Sequence, residues 1–95
     1  MVTITESEFA RIVAGIDEDR ELIVQHNPIG TEGEILLWML LSCLVSYLNL
    51  TDSEIPCFPG RPDESTYRTA IVMIIKNRRA DDFDAEPHLA KLSGE

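Results

Sequence analysis

Between Ile35 and Leu50 the chain carries no charged residue, and thirteen of those sixteen positions are apolar. Directly before this run stands Thr31-Glu32-Gly33-Glu34, a capping box in which Thr31 is the N-cap and Glu34 occupies N3. The acids also lie in the first turn, where the helix dipole favours them. The reading is a helix over Thr31–Leu50, about 30 Å long at 1.5 Å per residue. A helix apolar on almost every side must be surrounded by other elements. The run falls short of the ~20 residues that span a bilayer, and no Lys/Arg cluster flanks it, so a buried helix is expected and no membrane partner. It is then either the centre of a small bundle or part of a subunit interface.

The remaining segments supply what can surround it. Thr5-Glu6-Ser7-Glu8 is a second capping box, and Phe9, Ile12, Val13 and Ile16 follow on one helical face. Gly15 costs that helix about 1 kcal/mol relative to Ala, and Asp17-Glu18-Asp19 comes next. The continuation through Arg20 and Ile23 favours one helix from Glu6 to about Gln25 over a break near Gly15–Asp17. Leu22-Ile23-Val24 also admits a strand. His26-Asn27-Pro28-Ile29-Gly30 is a stop signal. Thr51 to Pro62 reads as a loop, since Pro56-Cys57-Phe58-Pro59-Gly60-Arg61-Pro62 holds three prolines in seven residues. A helix then starts at Asp63-Glu64-Ser65, continues through Tyr67, Ile71, Ile74 and Ile75, and ends among Lys76, Arg78 and Arg79. A short last helix begins near Asp84 and runs to about Leu92.

The expected fold is all-α, a single domain over residues 1–95 with three main helices and a short C-terminal fourth around the central apolar one. An α+β arrangement with short strands near 21–25 and 70–75 is the alternative, because Ala70 to Ile75 is rich in β-branched residues. The acidic segment 80–95 is expected to be partly mobile.

Charge narrows the function classes. Seventeen Asp and Glu against eight Lys and Arg give a net charge of −9. Residues 1–34 carry −6 of this and residues 80–95 carry −4, while residues 63–79 are at +2. Direct nucleic-acid binding is not expected, because a reader of the phosphate backbone needs a positive footprint. The basic cluster Lys76, Arg78 and Arg79 is expected to meet Asp81, Asp82 or Asp84, or to form part of a mixed solvated surface. The acidic start Met1–Glu6 is unlike a secretory leader. With two cysteines, Cys43 and Cys57, the expectation is reduced thiols in the cytoplasm.

No dinucleotide fingerprint, phosphate-binding loop or nucleophile elbow occurs, so no catalytic residue, cofactor or metal is expected. His26 and His88 stand in different segments without ligand spacing. Asp81 to Glu86 lacks the glycine and spacing of a calcium loop. Ser42, Ser46 and Asn49 form the polar stripe of the central helix. The small serines, four apart, permit close helix–helix approach, and their hydroxyls are expected to bond to carbonyls one turn back.

Three function classes follow. The first is a non-enzymatic interaction module, a homo-oligomer or a binder of a helical partner. Its expected interface is Trp38, Leu41, Ser42, Val45, Ser46 and Leu48, with Phe9 and Ile74 packing behind. The second is an acidic inhibitor or nucleic-acid mimic that presents Asp17, Glu18, Asp19, Glu21, Asp81, Asp82 and Asp84 to a basic site. The third is a ligand sensor or enzyme with a pocket near Trp38 and Cys57.

Overall fold

A computed structural model describes residues 1–27 and 30–93. Both capping boxes form. Thr5 Oγ1 accepts the Glu8 N–H at 3.2 Å while Glu8 accepts the Thr5 N–H, and α1 runs Glu6–Glu18. After α2 (Arg20–His26), Thr31 and Glu34 repeat the arrangement at the start of α3, Glu32–Leu48. Asn49 ends α3 in the left-handed conformation (φ 53°), which Asn tolerates better than most residues. Asp63 caps α4, Glu64–Arg78, by accepting the Thr66 N–H, and α5 spans Glu86–Ser93.

The all-α expectation holds, and both strand alternatives are overturned. Residues 21–25 lie in α2 and residues 70–75 in α4, and no strand occurs among the described residues. In α4 the β-branched run places Ile71, Ile74 and Ile75 on one buried face, while Met73 points to solvent. That is helical period, and the caps at each end decide in its favour.

The single helix expected from Glu6 to Gln25 is in fact two, broken at Asp19 (φ −95°, ψ 14°). The reason lies in what Arg20 reaches. Its guanidinium holds Asp17, Glu32 on α3 and the Lys91 carbonyl on α5, at 2.6–3.0 Å. The bend lets α1 bury Phe9, Val13 and Ile16 while α2 packs half-buried Ile23 and Val24 on the core.

As expected, α3 is the centre: it touches each of the other four helices. Leu36, Leu37, Leu40, Leu44 and Leu48 are sealed in a core with Ile71, Ile75, Leu89 and Leu92. Segment 80–93 is packed, with Phe83, Ala85, Leu89 and Leu92 all buried. Phe83 lies against Phe9 with centroids 5.7 Å apart. The Cα radius of gyration is 12.6 Å.

Arg78 is the one buried charged side chain among the described residues, 7% exposed. It donates to the Val2 and Leu48 carbonyls and to the Glu54 carboxylate. Beside it the backbone closes a parallel bridge, Ile4 N–H to Arg78 O and Ala80 N–H to Ile4 O. One side chain thus joins the N-terminal segment, the end of α3, the following turn and α4. The basic cluster therefore divides: Arg79 pairs with Asp82 at 2.9 Å, as expected, whereas Arg78 is a buried cross-brace.

Candidate functional site

Along α3 the expected interface residues separate into two sets. Leu41 and Leu48 belong to the core, together with Phe9 and Ile74. Trp38 (43% exposed), half-buried Ser42 and Val45, and exposed Ser46 lie on the outer face, joined by Tyr47 at 38%. Ile12 of α1 borders this face on one side, next to Ser42, Cys43, Ser46 and Tyr47. On the other side Trp38, Ser42 and Val45 share a cleft with Pro56, Phe58 and Gly60 of the loop. The expected bonds from the serine hydroxyls to carbonyls one turn back are not made. Neither hydroxyl bonds to a described residue, whereas Thr69 in α4 does donate to Ser65 O at 2.9 Å. The face is therefore apolar, uncharged and dotted with small hydroxyls that have spent no hydrogen bond on the fold.

At the N-terminal end of the same face the surface deepens into a cavity of about 270 Å³. Its apolar walls are Ile35, Trp38, Pro62 and Tyr67, and its polar groups are Asn27, Glu34 and Arg61. The capping box fixes Glu34, which is only 17% exposed. Glu34 Oε2 accepts from Thr31 N at 3.3 Å and from Arg61 Nη2 at 2.9 Å. Gly30 (φ 84°) presses its backbone against this pair, so that a Cβ there would stand 1.9 Å from Glu34 Oε2. Tyr67 meets Phe58 edge-on at 5.6 Å. Burial, helped by the Glu34 charge, raises the Tyr67 pKa.

Cys57 lies elsewhere, exposed in a wider cleft between the loop and the Met73 face of α4. Trp38 and Cys57, the two places where a pocket is expected, thus line separate hollows. Cys43 is half-buried on α3, and burial raises its thiol pKa.

The acidic residues also divide. Asp17 pairs with Arg20, Asp81 accepts the Glu6 N–H, Asp82 pairs with Arg79 and Asp84 accepts the Glu86 N–H. Glu18, Asp19 and Glu21, exposed at the α1–α2 bend, have no side-chain partner among the described residues. His26 bonds to Leu22 O, and His88 stacks edge-on to Phe9 with Nε2 3.2 Å from Glu6. Among the described residues no three His, Cys, Asp or Glu gather as a metal site, and no helix is long and apolar enough to cross a membrane.

The sequence also offers Tyr47 with Trp38 as part of an apolar pocket or interface, whereas it gives Glu34 only as a cap and does not pair it with Arg61. The Glu34–Arg61 pair was not legible, because 27 residues separate its members. No protein-family model matches the chain, and neither does any curated protein or solved structure.

Proposed function

We propose that the chain is a non-catalytic protein–protein interaction module that self-associates through the outer face of α3. The observation that carries this is the ribbon Trp38, Ser42, Val45, Ser46 and Tyr47, left uncovered although it lies in the longest uncharged stretch of a chain with net charge −9. Two copies that meet anywhere near the acidic ends must desolvate or juxtapose carboxylates, which is costly. On this ribbon they bury indole, phenol and aliphatic surface, the composition of an interface core. Ser42 and Ser46, one turn apart, admit the backbone of a second α3 and offer it hydroxyls. Two unpaired thiols suit a reducing, cytoplasmic setting.

Light scattering after size exclusion tests this. The wild-type chain is expected to elute as a dimer. Ser46→Arg, a change at an exposed position, is expected to give a folded monomer by circular dichroism. A wild-type monomer at high micromolar concentration would sink the proposal, as would an unchanged dimer in Ser46→Arg.

A second reading rests on Glu18, Asp19 and Glu21, the carboxylates at the bend that no described side chain engages. They favour an acidic inhibitor that enters a basic site. Such a partner would bind by electrostatic steering, with affinity falling steeply as salt rises.

A further inference from the structure

The cavity at the N-terminal end of α3 is chemically distinct from the ribbon. Glu34 accepts both of its interresidue backbone and guanidinium bonds on Oε2, which leaves Oε1 without a donor among the described residues. Asn27 donates Nδ2 to Ile23 O at 2.8 Å, which fixes its amide orientation and leaves Oδ1 as an acceptor without a donor among the described residues. The unspent polar atoms of the two are thus acceptors, and both residues line the cavity together with Trp38 and Tyr67. Carboxylate and amide acceptors gathered with an indole and a phenol suit one kind of guest, an organic cation. The structure already seats such a group there, since the Arg61 guanidinium lies on Glu34. That guanidinium is 64% exposed, so the pair is a weak, exchangeable one. The net charge of −9 raises the local concentration of cations and lowers that of anions.

We propose that this cavity is a binding site for a small organic cation bearing N–H donors on a flat apolar body, with Glu34 Oε1 and Asn27 Oδ1 as its acceptors and Trp38 and Tyr67 as its walls. Arg61 is then a built-in competitor that shields Glu34, and its removal strengthens binding. The opposite reading, an anion site centred on Arg61, predicts the opposite sign for both substitutions.

Benzamidine, its neutral analogue benzamide and the anion benzoate are suitable probes. Trp38 is the sole tryptophan, so its indole N–H gives one NMR cross-peak that reports on the cavity. Benzamidine is expected to shift this peak saturably, with benzamide at least tenfold weaker and benzoate without effect, as loss of a charge-assisted bond implies. Glu34→Gln, which keeps the capping box, is expected to weaken benzamidine about tenfold, and Arg61→Ala to tighten it several-fold. The same order is expected in the Ser46→Arg background, which separates ligand binding from self-association. The proposal is overturned if benzamidine gives no saturable shift even with Arg61→Ala, if Glu34→Gln leaves it unchanged, or if benzoate binds and Arg61→Ala abolishes that binding.

Discussion

Arg78 shows how one side chain can carry a large share of a small fold's cohesion. Its buried guanidinium satisfies two main-chain carbonyls and the exposed Glu54 carboxylate. Removing it leaves the Leu48 carbonyl without its buried partner and unties Val2 and Glu54 from α4. Arg78→Ala is therefore expected to lower stability by about 2–4 kcal/mol in chemical denaturation. Arg78→Lys should not restore it, because an ammonium cannot reproduce the forked geometry. The hydrogen bond from Arg78, with further bonds from Thr51, holds the Glu54 pKa below the ordinary carboxylate range. A carboxylate with a depressed folded-state pKa binds protons more readily when unfolded. Its contribution is therefore complete above the ordinary carboxylate pKa and is lost as pH falls through the depressed value. The acid limb of a thermal-melting series should accordingly flatten in Glu54→Gln. The thiols differ in the same local way. Cys57 is exposed, whereas Cys43 is half-buried with a raised pKa. A maleimide should label Cys57 first, and Cys57→Ser should remove the fast phase. Equal rates at both sites would contradict this burial pattern.

At the scale of elements, the helix starts are written locally and the helix breaks are not. Thr5–Glu8 and Thr31–Glu34 each place an acceptor and a returning carboxylate within one turn, so no distant residue is needed to begin α1 or α3. Asp19 is different. The heptad spacing runs straight through it, yet the helix stops because Arg20 is committed to Glu32 and Lys91, residues 12 and 71 positions away. Gly15 sits inside α1 just before the break, exposed, with no atom within 4 Å of where a Cβ would lie. Gly15→Ala should therefore stabilise the chain by about 0.5–1 kcal/mol, through helix propensity and a less flexible unfolded state. A destabilised variant would show that flexibility at Gly15 serves the bend. The α4 run from Ala70 to Ile75 carries the converse lesson. Its residue types lean toward strand, and Asp63 at one end with Lys76 and Arg78 at the other outweigh them.

For the whole molecule, distribution of charge matters more than its sum. The two acidic ends hold thirteen of the seventeen carboxylates and a net charge of −10, and several of those carboxylates are tied into caps and ion pairs. In the proposed self-association, two such molecules would repel at long range and attract across the uncharged ribbon on α3. Raising the salt screens the repulsion and leaves apolar burial intact. The dimer fraction in light scattering should therefore rise from low to high salt. A fraction that falls would instead favour contacts between charged groups, as in the acidic-inhibitor reading.

Patterning alone determined the all-α class, the capped starts of α1 and α3, the proline-rich loop and the central place of α3. Each of these rests on contacts between near neighbours in sequence or on the hydrophobic demand of one segment. Only the tertiary structure decided which leucines of α3 are core and which neighbours are surface, since a helix with thirteen apolar positions in sixteen has no face marked in advance. It alone also paired Glu34 with Arg61 and gathered Val2, Leu48 and Glu54 around Arg78. Those contacts join segments separated by a loop or by most of the chain. No local spacing encodes them, because their geometry exists only once the helices have packed.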